Sequence, residues 1–240
     1  MKYTFLIVLS LSLVSFNTSF SQKIKPSGKI TFENRPVQEF EDIDLDGMFN
    51  VFLSQSDTAS VRVETDENLQ QLIVVESKDA KLKVYDKDES KKYKHIVMNV
   101  YIKAPDIQKL KVDLFESKLT CTGVLKVTDF ELNNVSSGLV YLNINATEFK
   151  ANFNAFGDMI LEGNAETAKF VCSGSGNVNG KKFTAGLFDI DYSGSGNVEV
   201  AEIKEISLKS TGNGDIFYKG QPEIRKMEVT GLGRVKKRVH

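Results

Sequence analysis

Four residues stand in one phase along the C-terminal half of this 240-residue chain: Asp158, Asn177, Asn197 and Asp215. A row of amides and carboxylates could meet the hydroxyls of a sugar chain or offer oxygens to a cation. The same residue types also bond their own backbone at tight corners, so local turn chemistry is the competing reading of this ligand-facing ladder. The nearby Gly212-Asn213-Gly214-Asp215 brushes against the calcium-binding nonapeptide pattern. That pattern needs repeated Gly-Gly pairs and an apolar residue two after the Asp, whereas Ile216 follows Asp215 directly, so no metal is expected.

Nucleophilic catalysis has little to work with. The two histidines are His95, beside a Lys-rich loop, and the terminal His240, and no Gly-x-Ser-x-Gly motif is present. Cys121 and Cys172 form no zinc-spaced cluster. Paired Asp or Glu would suffice for a polysaccharide lyase or hydrolase, but no acidic pair stands out from a solvated face. No catalytic residue, metal or cofactor is assigned, and the chain reads as a non-enzyme.

The elements that carry these residues are marked by a ruler of glycines. Gly138, Gly157, Gly176, Gly196, Gly214 and Gly233 are separated by 19, 19, 20, 18 and 19 residues, with Val140, Met159, Val178, Val198, Ile216 and Val235 two positions later. Turn glycine, polar, apolar, repeated in phase, is the signature of a stacked solenoid with about 19 residues per rung. Glycine is expected at these corners because it permits positive φ. The apolar residues after the corners should point inward on one wall. Phe130, Phe149, Phe170 and Phe188 should stack in register on another, each contributing about 1.5–3 kcal/mol of burial. Cys121 and Cys172 fall three rungs apart, about 14 Å at a rise of about 4.8 Å per rung, too far for a disulfide.

Shorter alternating segments precede the repeat, including Phe49 to Leu53, Val61 to Glu64 and Ile96 to Ile102, and the regular solenoid is expected to begin near Ile107. The class is therefore all-β, a β-helix preceded by a β-rich N-terminal part of the same domain. Residues 1–21, with Lys2, an apolar stretch from Phe5 to Val14, and Ser19 and Ser21 before the junction, read as a cleavable secretory signal. No Cys follows the junction for acylation, and no other stretch is apolar enough to span a membrane. Residues 22–37 read as a flexible leader, and 38–238 as one domain. Without the signal, 30 basic residues face 32 acidic ones, which offers nucleic acid no electrostatic footprint. The basic run Arg234 to Arg238 is read as a charged cap against end-to-end stacking.

The paired Ser-Gly-Ser-Gly-Asn-Val motifs at 173–178 and 193–198, with Ser210 to Ile216, resemble the head GIN domain family of auto-transporter adhesins. Phe40-Glu41-Asp42-Ile43, Gly47 to Val51 and Ile102 to Ile107 carry the resemblance further, so that it spans about residues 38–235. It implies a right-handed parallel β-helix, secreted or periplasmic, and brings no catalytic residues. With no translocating β-barrel in it, the chain is not expected to be a complete auto-transporter. The function expected is that of an exported, monomeric, adhesin-like binding protein at the cell envelope or surface, with a glycan, a matrix component or another extracellular protein as partner. A carbohydrate-active β-helix enzyme and a purely structural envelope component are the alternatives.

Overall fold

The computed structural model describes residues 25–87 and 97–238; the proposed signal, His95 and His240 lie outside the described residues. Strands stack in parallel, about 19 residues apart, into a β-solenoid of about seven turns. Two walls run its length. The first is built from β7 (Met98–Ala104), β3 (Asn50–Gln55), β9 (Lys118–Cys121), the first halves of β11 (Leu139–Phe153), β12 (Met159–Cys172), β13 (Val178–Tyr192) and β14 (Val198–Ser210), then β15 (Ile216–Lys219) and β17 (Val235–Lys237). The second is built from β6 (Lys81–Asp86), β2 (Asp42–Gly47), β8 (Lys109–Leu114), β10 (Leu125–Asn134), the second halves of β11 to β14, and β16 (Glu223–Val229).

The stack begins earlier in the chain than the glycine ruler suggests, and out of order. β2 and β3 form a rung that lies between β6–β7 on one side and β8–β9 on the other. The first rung in space is thus the second in sequence, which hides it from any search for a fixed period. Beyond it sits an antiparallel cap. β4 (Ser60–Asp66) pairs with β7, β1 (Ile30–Arg35) with β4, and β5 (Ile73–Lys78) with β6. Between them the 3-10 helix Glu67–Leu72 lays Leu69 and Leu72 over the end of the core.

Residues 30–35, assigned from sequence to a flexible leader, are therefore a paired strand. Most of this strand is exposed, so it shows no buried stripe to betray it. The Arg62 guanidinium lies between the rings of Phe32 and Tyr101, 4.9 Å from each centroid, and ties the strand down.

The inward columns follow from the parallel register. Val140, Met159, Val178, Val198 and Ile216 are buried on the first wall, while Val235, on the last rung, is only partly covered. The phenylalanine ladder is corrected by the register. Phe149 stands over Phe130 on one side and Ala168 on the other, whereas Phe170 stands beside Ala151 and Ile190. The rings zigzag between two columns, with centroids 5.7, 5.3 and 5.1 Å apart from Phe130 through Phe149 and Phe170 to Phe188. Ala151 beside Phe149 and Ala168 beside Phe170 make room for the two central rings, as close packing requires.

The glycines of the ruler are needed for a different reason from the one expected. None of the six adopts positive φ. A Cβ at Gly157, Gly176, Gly196, Gly214 or Gly233 would instead drive into the carbonyl oxygen of the preceding glycine in the same column. Tyr192, buried beneath the corner, donates its hydroxyl to the Gly196 carbonyl; a side chain at Gly212 would strike its ring and one at Gly214 its hydroxyl. Cys121 and Cys172 are buried and unbridged, and burial pushes the Cys172 thiol up to about 12, far from any nucleophilic range.

Candidate functional site: two corners of the solenoid

The glycine corner carries the four residues singled out by their spacing, and the register brings them into one column. Each passes a hydrogen bond along the stack. Asp158 Oδ1 accepts from the Asn177 backbone N–H at 2.8 Å, Asn177 Oδ1 from Asn197 at 2.9 Å, Asn197 Oδ1 from Asp215 at 2.9 Å, and Asp215 Oδ1 from Arg234 at 2.9 Å. Asn177 Nδ2 also returns to Asp158 Oδ1 at 3.0 Å. Each side chain therefore satisfies the next rung's backbone. The same column continues through Asn50, whose Oδ1 accepts from the Lys118 N–H at 3.1 Å and whose amide donates to Asn99 Oδ1 at 3.1 Å. Sequence reasoning missed Asn50 and Asn99 because their rungs are out of order. Lys118 and Leu139 interrupt the row, and the Leu139 N–H bonds to the Ser117 carbonyl instead.

The ladder ends in ion pairs. Arg234 Nη2 and Lys236 Nζ each lie 3.1 Å from Asp215 Oδ2. The Arg234 backbone N–H, then the Arg234 and Lys236 side chains, hold the Asp215 carboxyl down at about 2. Arg238 reaches Glu199 at 3.6 Å and covers the Phe217 ring at 4.2 Å. The basic run thus forms the last strand of the first wall, with Arg234, Lys236 and Arg238 neutralised by Asp215 and Glu199, and it leaves the end of the second wall uncovered.

The opposite corner, where the two walls meet midway along β11 to β14, is built differently. Ala146, Ala165 and Ala185 are the small buried residues of the bend. Here the register breaks. Between Gly180/Val200 and Ala185/Ile203, β13 spends five steps against three on β14. One further extra residue enters on each side, at Ile160/Glu162 and at Glu199/Glu202. A long rung followed by a short one leaves a ledge, and a groove of about 890 Å³ runs across it. The 20-residue spacing followed by 18 in the glycine ruler is the sequence signal of this step.

The groove crosses three rungs and presents Asn164 and Glu166, then Thr184, then Glu202 and Lys204, with Gln221 at its far end. All six side chains are exposed. Asn164 Nδ2 donates to Asn145 Oδ1 at 2.9 Å. Among the described residues no hydrogen bond or ion pair engages the side chains of Glu166, Thr184, Glu202, Lys204 or Gln221. Amide, hydroxyl, carboxylate and ammonium groups therefore stand free at rung pitch over a floor of alanine and glycine. Among the described residues no three His, Cys, Asp or Glu gather as metal ligands, and no helix is long and apolar enough to cross a membrane.

The family described as "Putative auto-transporter adhesin, head GIN domain" matches residues 39–222. No curated protein matches the chain. Among solved structures, a "putative adhesin" from Bacteroides fragilis NCTC 9343 superposes with a TM-score of 0.81 at 24% identity, over 89% of this chain and 99% of that one. A "putative adhesin" from Parabacteroides distasonis ATCC 8503 gives 0.69 at 22% identity, over 89% and 99%. A "putative lipid binding protein" from the same organism also gives 0.69 at 22%, over 90% and 99%. At these identities the likeness is one of fold.

Proposed function

The chain belongs to the head GIN domain family, and on that premise we propose that it is an exported, non-catalytic, adhesin-like protein that binds an extended glycan at the cell envelope or surface. Export would use residues 1–21 as a cleaved signal, leaving a single solenoid domain over 38–238, preceded by the strand at 30–35. The observation that carries the binding reading is the free polar lining of the groove at the wall-to-wall corner. Hydroxyls spaced along a sugar chain match donors and acceptors repeated about every 4.8 Å, and an alanine floor lets the rings approach closely. Each hydrogen bond contributes only about 0.5–1.5 kcal/mol net, so single-site affinity is weak and multivalent display supplies the rest.

The glycine-corner ladder of Asp158, Asn177, Asn197 and Asp215 takes a supporting part in this reading. Its Oδ1 atoms are committed to backbone N–H groups, which leaves only Asp158 Oδ2 and Asn197 Nδ2 to meet a ligand. Binding to an array of immobilised bacterial and host glycans tests the assignment. Signal that disappears in Asn164→Ala with Thr184→Ala, at unchanged melting temperature, supports it; a blank array favours a purely structural envelope component.

Two carboxylates in the groove keep one second reading in play, that of a glycan-cleaving enzyme using Glu166 and Glu202. They sit on strands two rungs apart, about 10 Å along the axis, which is beyond the roughly 5–5.5 Å of a retaining pair and nearer the roughly 6.5–9.5 Å of an inverting one. Sugar release from any bound glycan, abolished by Glu202→Gln, would establish that reading.

A further inference from the structure

The two ends of the solenoid are finished unequally. At the N-terminal end the 3-10 helix seals the core with Leu69 and Leu72, which are 0% and 5% exposed. At the C-terminal end the columns of the second wall run out into solvent. Ile206 and Leu208 are buried, while the residues stacked on them, Ile224 and Met227, are 55% and 37% exposed. Val229, stacked on Ser210, is 42% exposed, and Leu232 in the following turn is 86% exposed. Among the described residues the outer edge of β16 pairs with no strand, so its N–H and C=O groups are open as well. Solenoids ordinarily close such an end with a polar terminal turn, and an open apolar edge strand is a template for pairing. The basic residues that could have blocked this end, Arg234, Lys236 and Arg238, are drawn down to Asp215 and Glu199 on earlier rungs.

We infer that this end pairs with the same end of a second copy, β16 against β16 in antiparallel register, to give a closed two-fold dimer. The sequence of the strand is self-complementary about Met227. With Met227 opposite its own copy, Lys226 of each chain faces Glu228 of the other on the outer side, and the two methionines meet on the inner side as a continuation of both cores. Strand direction supports this assignment, since Met227 follows the inward column of Leu208 while Lys226 and Glu228 follow the outward positions of Ser207 and Lys209. Opposite charges placed directly across an antiparallel pair are favourable, and two such pairs form at once by symmetry. Assembly stops at two copies because the capped N-terminal end offers no open core to receive the C-terminal one. A head-to-tail filament is therefore closed off, and each dimer carries two grooves, the multivalency that weak glycan contacts need. The dimer does not depend on the groove's ligand.

Lys226 and Glu228 also lie 3.3 Å apart within one chain, so the test must separate contacts within a chain from those between chains. Sedimentation velocity on the full-length protein should show the mass rising with concentration from one copy to two and no further. Lys226→Glu and Glu228→Lys, each placing like charges opposite one another, should each raise the dissociation constant about tenfold or more while keeping the circular dichroism of the parent. Mixed in equal amounts, the two variants should recover the two-copy species, because only the mixed pair sets the acidic strand of one variant against the basic strand of the other. Within each variant the internal pair stays like-charged, so recovery reads the contact between chains alone. A parent protein that remains single at all concentrations, or grows past two copies, overturns the proposal. So does a parent that doubles while the mixed variants stay apart, or one whose doubling neither substitution weakens.

Discussion

The two corners of each rung are made from the same strands and meet opposite fates. At the glycine corner the register is constant, and every Asx oxygen in the row from Asp158 to Asp215 that faces the next rung is spent on a backbone N–H. At the wall-to-wall corner the register slips, and Glu166, Thr184, Glu202 and Lys204 are left facing solvent without partners among the described residues. Regular stacking consumes hydrogen-bonding groups, because identical neighbours at a fixed pitch satisfy one another. Irregularity releases them. In a repeat protein the place where the period falters is therefore where recognition is to be sought.

Phe149→Ala should disturb both corners, since the ring is buried between them and touches Phe130 and Phe170. A loss of about 3–5 kcal/mol in denaturant unfolding is expected, the usual result of leaving a cavity in a close-packed core. Gly176→Ala acts on the glycine corner alone. Its Cβ meets the Gly157 carbonyl, and backbone on both sides cannot yield cheaply, so a loss of about 1–3 kcal/mol should appear in the melt. An unchanged melt would show that the glycines serve something other than close approach.

Next comes the ladder itself. Asn177→Ala with Asn197→Ala removes two side-chain acceptors from backbone N–H groups and should cost about 1–3 kcal/mol in total. Acid probes the same corner at its end. The Asp215 carboxyl is lowered from 3.8 to about 2 by Arg234 and Lys236, so its contribution to stability is present above about pH 4 and fades as pH falls through about 2. Asp215→Asn should flatten that limb of the pH-stability profile, and a profile identical to the parent's would remove Asp215 from the account.

Much of this architecture is legible in the sequence, and the parts that are not fail for physical reasons. The period and the inward valines follow from a single spacing, and so does the absence of a bridge between Cys121 and Cys172, although the register sets them two strands apart on opposite walls where the spacing suggested three rungs of one stack. The phenylalanines mislead because a spacing of 18 to 21 residues does not distinguish one column from its neighbour two positions away; Phe170 takes the second column, and the alanines at 151 and 168 are the only hint. The rung of β2 and β3 escapes because space and sequence order disagree there. Asp158, Asn177, Asn197 and Asp215 stand where their spacing places them, and only the hydrogen bonds reveal how little of each is left for a ligand. The groove was written in the ruler as 20 followed by 18, an irregularity that reads as noise until the register slip is seen.

The most direct test of the contrast between corners puts two double variants through the same pair of measurements, thermal melting and binding to the glycan array. Asn164→Ala with Thr184→Ala should keep its stability within about 0.5 kcal/mol of the parent and lose binding, since both side chains are exposed. Asn177→Ala with Asn197→Ala should melt earlier and, below its melting temperature, bind as the parent does. The opposite pattern, binding lost with the ladder and kept without the groove residues, would contradict the account and return recognition to the glycine corner.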